Sequence, residues 1–341
     1  MGNVPWLLLF VRAIPCSYAC KHCLFAPQKR FKAMTHFEVT EAIRRFYNPL
    51  GGATEPLPYY RNLAVYVGDA ALNFDDFPKV VSFLKEHGIE GWQSVAADGF
   101  RKRSYEEWKP YLQALRGAGT EVLEFSLYGL PKTHDWFAGY SGSYEDIRTV
   151  AEIWYEMGGE VLWSIFVHKR NLKEIAPLRE DLRAKYGADA EVVLWDYLGW
   201  GAYSEALRVE EEDLQTMDEA SKKFLKGVKA EREWIEQLEH MEARPFSLSP
   251  PVIQLAVEKS GEVRMPYTTV RGGLEGEVVG NVFVEPIADV FERWGQLYAE
   301  WVDSYPSVGE LCRKYGDKSN RRLYNKASII RKWCAAFENR E

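Results

Sequence analysis

An α/β fold, built as a partial six-stranded parallel (β/α) barrel with a C-terminal α+β cap, is predicted by three features of the sequence. Six short apolar runs lie at residues 6–12, 63–67, 92–96, 122–127, 160–167 and 191–195. They are nearly continuous in hydrophobicity, as expected of strands covered on both faces. Helical patterns fill the intervals, giving strand-helix units about thirty residues apart, which right-handed crossovers assemble into a parallel sheet two units short of a closed eight-unit barrel. Past residue 205 this alternation stops.

The helices have readable starts. Thr35 with Glu38 forms a capping box ahead of Val39, Ile43 and Phe46, and Ser104 with Glu107 forms another. Ser143 with Asp146 opens a third helix through Ile147, Val150 and Ile153, which Gly158-Gly159 ends. Pro110 and Pro177 fall inside helical patterns and are expected to delay or kink them. After the barrel at 1–205, a charged helical connector spans 206–250. The third segment, 251–341, begins with a hairpin joined by Lys259-Ser260-Gly261 and continues in helices.

The chain has 341 residues, of which 46% are hydrophobic and 27% charged, so it folds around a core rather than staying disordered. No apolar run approaches the roughly 18 residues that a membrane helix needs, and no signal-peptide core is seen, so a cytoplasmic protein is expected. A net charge of -7 gives no general attraction to nucleic acid. The exception is the tail, where residues 313–341 carry nine Lys or Arg against three acids. A solvated helix face or a docking patch for an acidic protein fits that run.

Three of the five cysteines, Cys16, Cys20 and Cys23, fall within eight residues directly after the first strand. Thiolates spaced C-x3-C-x2-C can converge from one loop on three corners of a cubane iron-sulfur cluster. A structural zinc ion would want a fourth ligand, and His22, adjacent to Cys23, can hardly bind the same metal. Three buried structural cysteines are the plain alternative.

This loop resembles the signature of the radical S-adenosylmethionine (SAM) superfamily. The resemblance implies that Cys16, Cys20 and Cys23 hold one [4Fe-4S] cluster whose free iron chelates SAM. Reductive cleavage would then give a 5′-deoxyadenosyl radical that takes hydrogen from a substrate. Weaker matches fall at successive strand ends, where a barrel places its site. Gly68 and Asp69 stand where the family commonly has Gly-Gly-Glu, and Asp98-Gly99 resembles an Asn-Gly. Ser126 begins Ser126-Leu127-Tyr128-Gly129, similar to Ser-x-Asp-Gly with Tyr128 in place of Asp. His134-Asp135, Gly139 and 141–144 look like the region that follows. Lys169 and Asn171 are expected to reach cofactor or substrate, and Gly201, in Gly199-Trp200-Gly201-Ala202, to line the adenine. Trp195, Tyr197 and Trp200 would pack the core or line the pocket.

Residues 252–294 resemble a SPASM-type extension, through 260–263, Met265-Pro266-Tyr267 and 279–282. Tyr267 stands where that module has Cys, and no Cys occurs between Cys23 and Cys312. A cluster-free cap is therefore expected, with Cys312 and Cys334 as buried packing or hydrogen donors. The resemblance implies a peptide-modifying biosynthetic enzyme. A separate peptide-recognition protein would present the substrate, and flavodoxin or ferredoxin would supply electrons. The alternatives are a radical SAM enzyme acting on a sugar, aminoglycoside or nucleoside, and an iron-sulfur scaffold without SAM chemistry.

Overall fold

The computed structural model describes residues 4–23, 33–47, 60–68, 70–194, 202–245, 252–265 and 277–338. Strand β1 (Val4–Val11) leads into the cysteine segment, then to helix α1 (His36–Tyr47) and strand β2 (Tyr60–Val67). β2 runs parallel to β1 with Leu9 opposite Val65. The alternation continues through α2 (Phe77–Glu86), β3 (Ser94–Ala96), α3 (Tyr105–Ala118) and β4 (Val122–Leu127). Two helices, α4 (Pro131–Ala138) and α5 (Ser143–Glu156), precede β5 (Glu160–Phe166), and α6 (Ile175–Tyr186) precedes β6 (Ala190–Val193).

β3 to β6 pair in sequence order and all in parallel. The six expected strands do not form one continuous sheet, however. β1 and β2 belong to a different sheet, and the two sheets meet at one parallel bridge between Ala64 and Glu90. There Val65 N donates to Glu90 O (2.9 Å) and Glu90 N to Leu63 O (3.1 Å). The chain turns away at Gly91, whose φ of +114° suits glycine and whose Cβ would lie 2.0 Å from Val65 O. The run at 92–96 thus keeps only three residues of strand.

Helices cover one face of these strands. On the other, Phe10, Ala64, Tyr66, Glu124, Ser126, Leu162, Ser164 and Glu191 retain exposed surface, as the two-residue period of a strand requires. Tyr66 is 51% and Leu162 55% exposed. This face keeps exposed side chains, unlike the packed interior of a closed eight-unit barrel.

The helix starts follow the sequence with one exchange. Thr35 and Glu38 cap α1 reciprocally, and Ser104 and Glu107 cap α3. Replacing Ser104 by Ala should cost about 1 kcal/mol in urea unfolding, because Glu107 N loses its acceptor. α5 is capped from outside. Asp135 accepts from Gly142 N (2.6 Å), Ser143 Oγ (2.9 Å) and Tyr144 N (3.0 Å), so Ser143 is a donor to that cap and not the cap itself. Pro177 falls in the first turn of α6, where no N–H is needed, whereas Pro110 lies within α3.

The charged stretch after the barrel is several short pieces: α7 (Ala202–Leu207), α8 (Glu219–Lys222), β7 (Lys229–Ala230) and α9 (Glu231–Leu238). Next, β8 (Val252–Val257) and β9 (Glu262–Arg264) form the expected hairpin, and β10 (Val278–Asn281) adds to it antiparallel. These strands do not stand apart as a cap: β8 lies parallel beside β1, Leu9 opposite Leu255, making a five-stranded sheet ordered β10-β9-β8-β1-β2. Burial of one face explains the choice, since Ile253, Leu255 and Val257 are as buried as Leu7, Leu9 and Val11 opposite them. Finally come α10 (Ile287–Ser304), α11 (Val308–Tyr315), β11 (Leu323–Tyr324) and α12 (Lys326–Glu338).

Connector and tail interlock. β11 pairs with β7, and α9, α11 and α12 share a second hydrophobic cluster around Trp234, Leu311 and Trp333. The buried Glu231 carboxylate accepts from Lys332 Nζ (2.7 Å), Trp333 Nε1 (2.7 Å) and Asp317 N (3.1 Å). Arg321 pairs with Glu211 and Glu212. Among the described residues no helix is long and apolar enough to cross a membrane.

Candidate active site at the cysteine loop

Cys16, Cys20 and Cys23 lie on one loop at the C-terminal end of β1, and none forms a disulfide. Neighbouring strand exits pin this loop. Ser17 N donates to Gly99 O (2.7 Å), Ala19 N to Ala138 O (2.7 Å) and Lys21 N to Phe137 O (2.9 Å). Gly139 ends α4 in the left-handed region (φ +63°), and a Cβ there would come 2.8 Å from Ala19 O. The loop can press onto α4 because that position is glycine.

Asn73, buried just after β2, ties the loop to the exit of β3. Its amide nitrogen is within hydrogen-bond distance of Pro15 O (3.3 Å), Ser17 Oγ (3.1 Å) and Gly99 O (3.1 Å), and its oxygen accepts from Arg101 N (2.6 Å). Nothing in the sequence singles out Asn73, since an Asn after a strand reads first as a turn residue.

The donors suit thiolate ligands. Tyr18 N points at Cys16 Sγ (3.3 Å), and interaction with Tyr128 favours the ionised Cys20. Burial, followed by the charges of Cys23 and Cys16, pushes the Cys20 thiol well up. Thiols that raise one another in this way ionise together only against a compensating positive group, which the iron of a cluster would supply. Among the described residues no three His, Cys, Asp or Glu side chains are placed to hold one metal ion. A cubane, with its iron corners spread, asks for more widely separated sulfurs than one ion does, and the thiol-only donor set fits it.

His22 is set in rings instead. Its imidazole stacks on Phe137 (5.4 Å between centroids) and Phe166 (5.6 Å) and lies against Tyr128 (5.3 Å). Burial, helped by His168, lowers it to about 4, so it is neutral at pH 7. Tyr128, which the sequence marked only as a departure from Asp, thus touches both His22 and Cys20. Its position at the exit of β4 was the available signal.

The remaining expected residues divide. Gly68 takes φ +70° and donates its N–H to Val11 O (2.6 Å), beside the root of the cysteine loop. Asp98 and Ser126 come together: both Asp98 oxygens accept from Ser126 N (3.1 and 3.0 Å). Burial raises Asp98 to about 7, with the bonds from Ser126 opposing the rise. Tyr18, whose buried hydroxyl has no hydrogen-bond partner among the described residues, feels both Asp98 and the cysteines.

Lys169 turns to Glu210 (2.7 Å) in the connector. Asn171 is fully buried, its amide donating to Phe166 O (2.8 Å) and Tyr128 O (3.2 Å) while its oxygen accepts from His168 N (2.9 Å). Its visible work is shaping the exit of β5. Asp69 and Gly201 lie outside the described residues, as do Trp195, Tyr197, Trp200 and Tyr267. Cys312 and Cys334 sit in the second hydrophobic cluster, whereas Cys16 and Cys20 pack against the main one. Burial pushes the Cys312 thiol up to about 11 and the Cys334 thiol to about 12.

No family model and no curated protein matches the sequence. Solved structures do match the fold. Streptococcus suis SuiB bound to its precursor peptide SuiA is similar with a TM-score of 0.60 at 13% identity, over 96% of this chain and 76% of that one. Native anSMEcpe with bound AdoMet is similar with a TM-score of 0.55 at 16% identity, over 84% and 80% of the two chains. The same enzyme with AdoMet and the Cp18Cys peptide gives 0.55 at 14% identity, over 98% of each. These are radical SAM enzymes. The chain shares the fold of these structures. In this fold the cysteine loop of residues 16–23 lies at the strand exits, where Asn73, Asp98, Ser126 and Tyr128 also gather.

Asp98 offers a test without cofactor. An acid whose folded pKa stands near 7 against an ordinary 3.8 costs stability as pH rises between those values. Asp98→Asn in the apoprotein should therefore match wild type below pH 4 and gain on it up to pH 7 and beyond. Because Asp98 keeps part of its surface open, the gain should be about 1–2 kcal/mol in urea titrations. An equal difference at pH 4 and pH 8 would remove the charge as its cause.

Proposed function

We propose that the protein is a radical SAM enzyme that modifies a peptide, with Cys16, Cys20 and Cys23 as the ligands of a single [4Fe-4S] cluster. The observation that carries this is the thiol-only loop at the exit of β1, held to the exits of β3 and β4 in a radical SAM fold. Bound there, the cluster would supply one electron to SAM and so a radical able to take hydrogen from carbon.

The chain's own residues set the environment for that chemistry. Tyr18 N orients a Cys16 sulfur lone pair, Tyr128 favours the ionised Cys20, and the rings around His22 keep water from one side of the loop. Gly68, Asp98 and Ser126 are the proposed cofactor contacts from the strand exits, joined by Asp69 and Gly201. We assign Lys169 and Asn171 to shaping the β5 exit, and Cys312 and Cys334 to packing.

A peptide substrate is favoured by the partly exposed face of the strands and by two solved neighbours that hold peptides. Tyr66, Glu124, Leu162 and Glu191 offer exposed side chains along it. Anaerobic protein, reconstituted with iron and sulfide and reduced with dithionite, should cleave SAM to 5′-deoxyadenosine. Deuterium transfer from a labelled candidate peptide into that product would identify the substrate class. Transfer from a sugar or nucleoside and from no peptide would replace the peptide reading.

A further inference from the structure

We propose that an acidic one-electron carrier protein docks on a cationic face beside the cysteine loop, made by Lys21, Lys132, Trp136, Arg170 and Lys173, and not on the C-terminal tail. The inference rests on the proposed radical SAM function and adds to it the surface through which its electron enters.

Trp136 on α4 is half-buried and lies between two cations. The Arg170 guanidinium is 4.0 Å from its ring centroid and the Lys21 ammonium 5.5 Å. Lys21 belongs to the loop itself, between Cys20 and Cys23. Lys132 is exposed one helical turn before Trp136, on the same side of α4, and Lys173 is exposed on the segment that carries Arg170. Two acids lie close by and keep their charge, so the face carries four cations against two carboxylates, both of which are held by neutral donors and not by these cations. Asp135 caps α5 through both oxygens, and Glu174 accepts from Leu130 N (2.8 Å) and Thr133 Oγ (2.7 Å). Lys132, Arg170 and Lys173 form no ion pair among the described residues.

On a molecule of net charge -7, a positive face is where an acidic partner can approach without general repulsion. The tail does not offer the same. Arg321 is engaged by Glu211 and Glu212, and Lys332 by the buried Glu231, so the acidic connector already neutralises part of its charge. A flat aromatic ring flanked by cations also has the composition of an interface anchor. In the docked pair one electron leaves the carrier, which is oxidised by one, and enters the cluster, which is reduced by one, with no bond made or broken. Tunnelling falls steeply with distance, so docking on the loop that holds the ligands is the favourable placement.

The test uses full-length reconstituted enzyme and a flavodoxin as the probe. K132E/R170E should raise the flavodoxin concentration for half-maximal SAM cleavage and the calorimetric Kd about tenfold, and flatten their salt dependence. Dithionite-driven cleavage should stay within twofold of wild type. Arg321→Glu should leave the flavodoxin Kd unchanged. An unchanged Kd in K132E/R170E, or a tenfold rise in Arg321→Glu alone, overturns the docking assignment. So does an equal fall in the dithionite and flavodoxin assays, which would mean a disturbed loop. Absence of dithionite-driven cleavage in the wild type would instead sink the radical SAM reading, while the calorimetric Kd would still judge the surface.

Discussion

Replacing any one of Cys16, Cys20 or Cys23 by Ala is expected to abolish 5′-deoxyadenosine formation from SAM, a loss of at least about a thousandfold. The three sulfurs act as a unit, because a cubane held by two thiolates exchanges iron readily and offers no defined open corner. Iron in the reconstituted wild type should approach about four per chain, since Cys312 and Cys334 lie in a separate hydrophobic cluster and cannot complete a second conventional site. The triple Ala variant should bind essentially none. Wild-type cleavage by Cys20→Ala would end the proposal. A paramagnetic cluster signal surviving in the triple variant would show that other residues of the chain ligate iron.

The strand segments themselves, the first two helix caps and the place of the cysteine segment after β1 were legible because each rests on a pattern close in sequence. Capping by Thr35 or Ser104 needs only the three residues that follow, and C-x3-C-x2-C needs only eight. The pairing of β8 with β1 was not legible, because the residues that meet are more than two hundred positions apart and strand 252–257 would satisfy its alternation beside several partners. Asp135 as the cap of α5 was hidden for a similar reason: Ser143 offered a local signal of the same kind, and the carboxylate from the preceding helix outcompeted it. The partners of the positive tail were not legible, because composition counts charges and not the groups they meet. Glu211, Glu212 and Glu231, in the connector, meet it only after β7 and β11 have paired.

Asn73→Asp should damage the site more than its near-identical shape suggests. Asn73 gives its two amide hydrogens toward Pro15 O, Ser17 Oγ and Gly99 O, and a carboxylate has none to give. A buried negative charge would face two carbonyl oxygens instead, with Arg101 N and a rotated Ser17 hydroxyl left to donate. The cost should be about 3 kcal/mol of stability, combining lost bonds with a partly uncompensated charge. Asn73→Ala removes the donors without adding charge and should cost less, about 1–2 kcal/mol. Because the bonds join the cysteine loop to the β3 exit, the loss should be local as well as global. In the apoprotein, hydrogen exchange at Ser17 should lose protection in both variants, and at Arg101 in Asn73→Ala, which removes its acceptor, while Phe125 in β4 keeps its own. After reconstitution, Asn73→Asp should retain less iron than wild type and lose it faster to a chelator. Unchanged protection at Ser17 together with wild-type iron retention would show that the loop keeps its shape without Asn73, leaving the backbone bonds from Ala19 and Lys21 to α4 as its sufficient support.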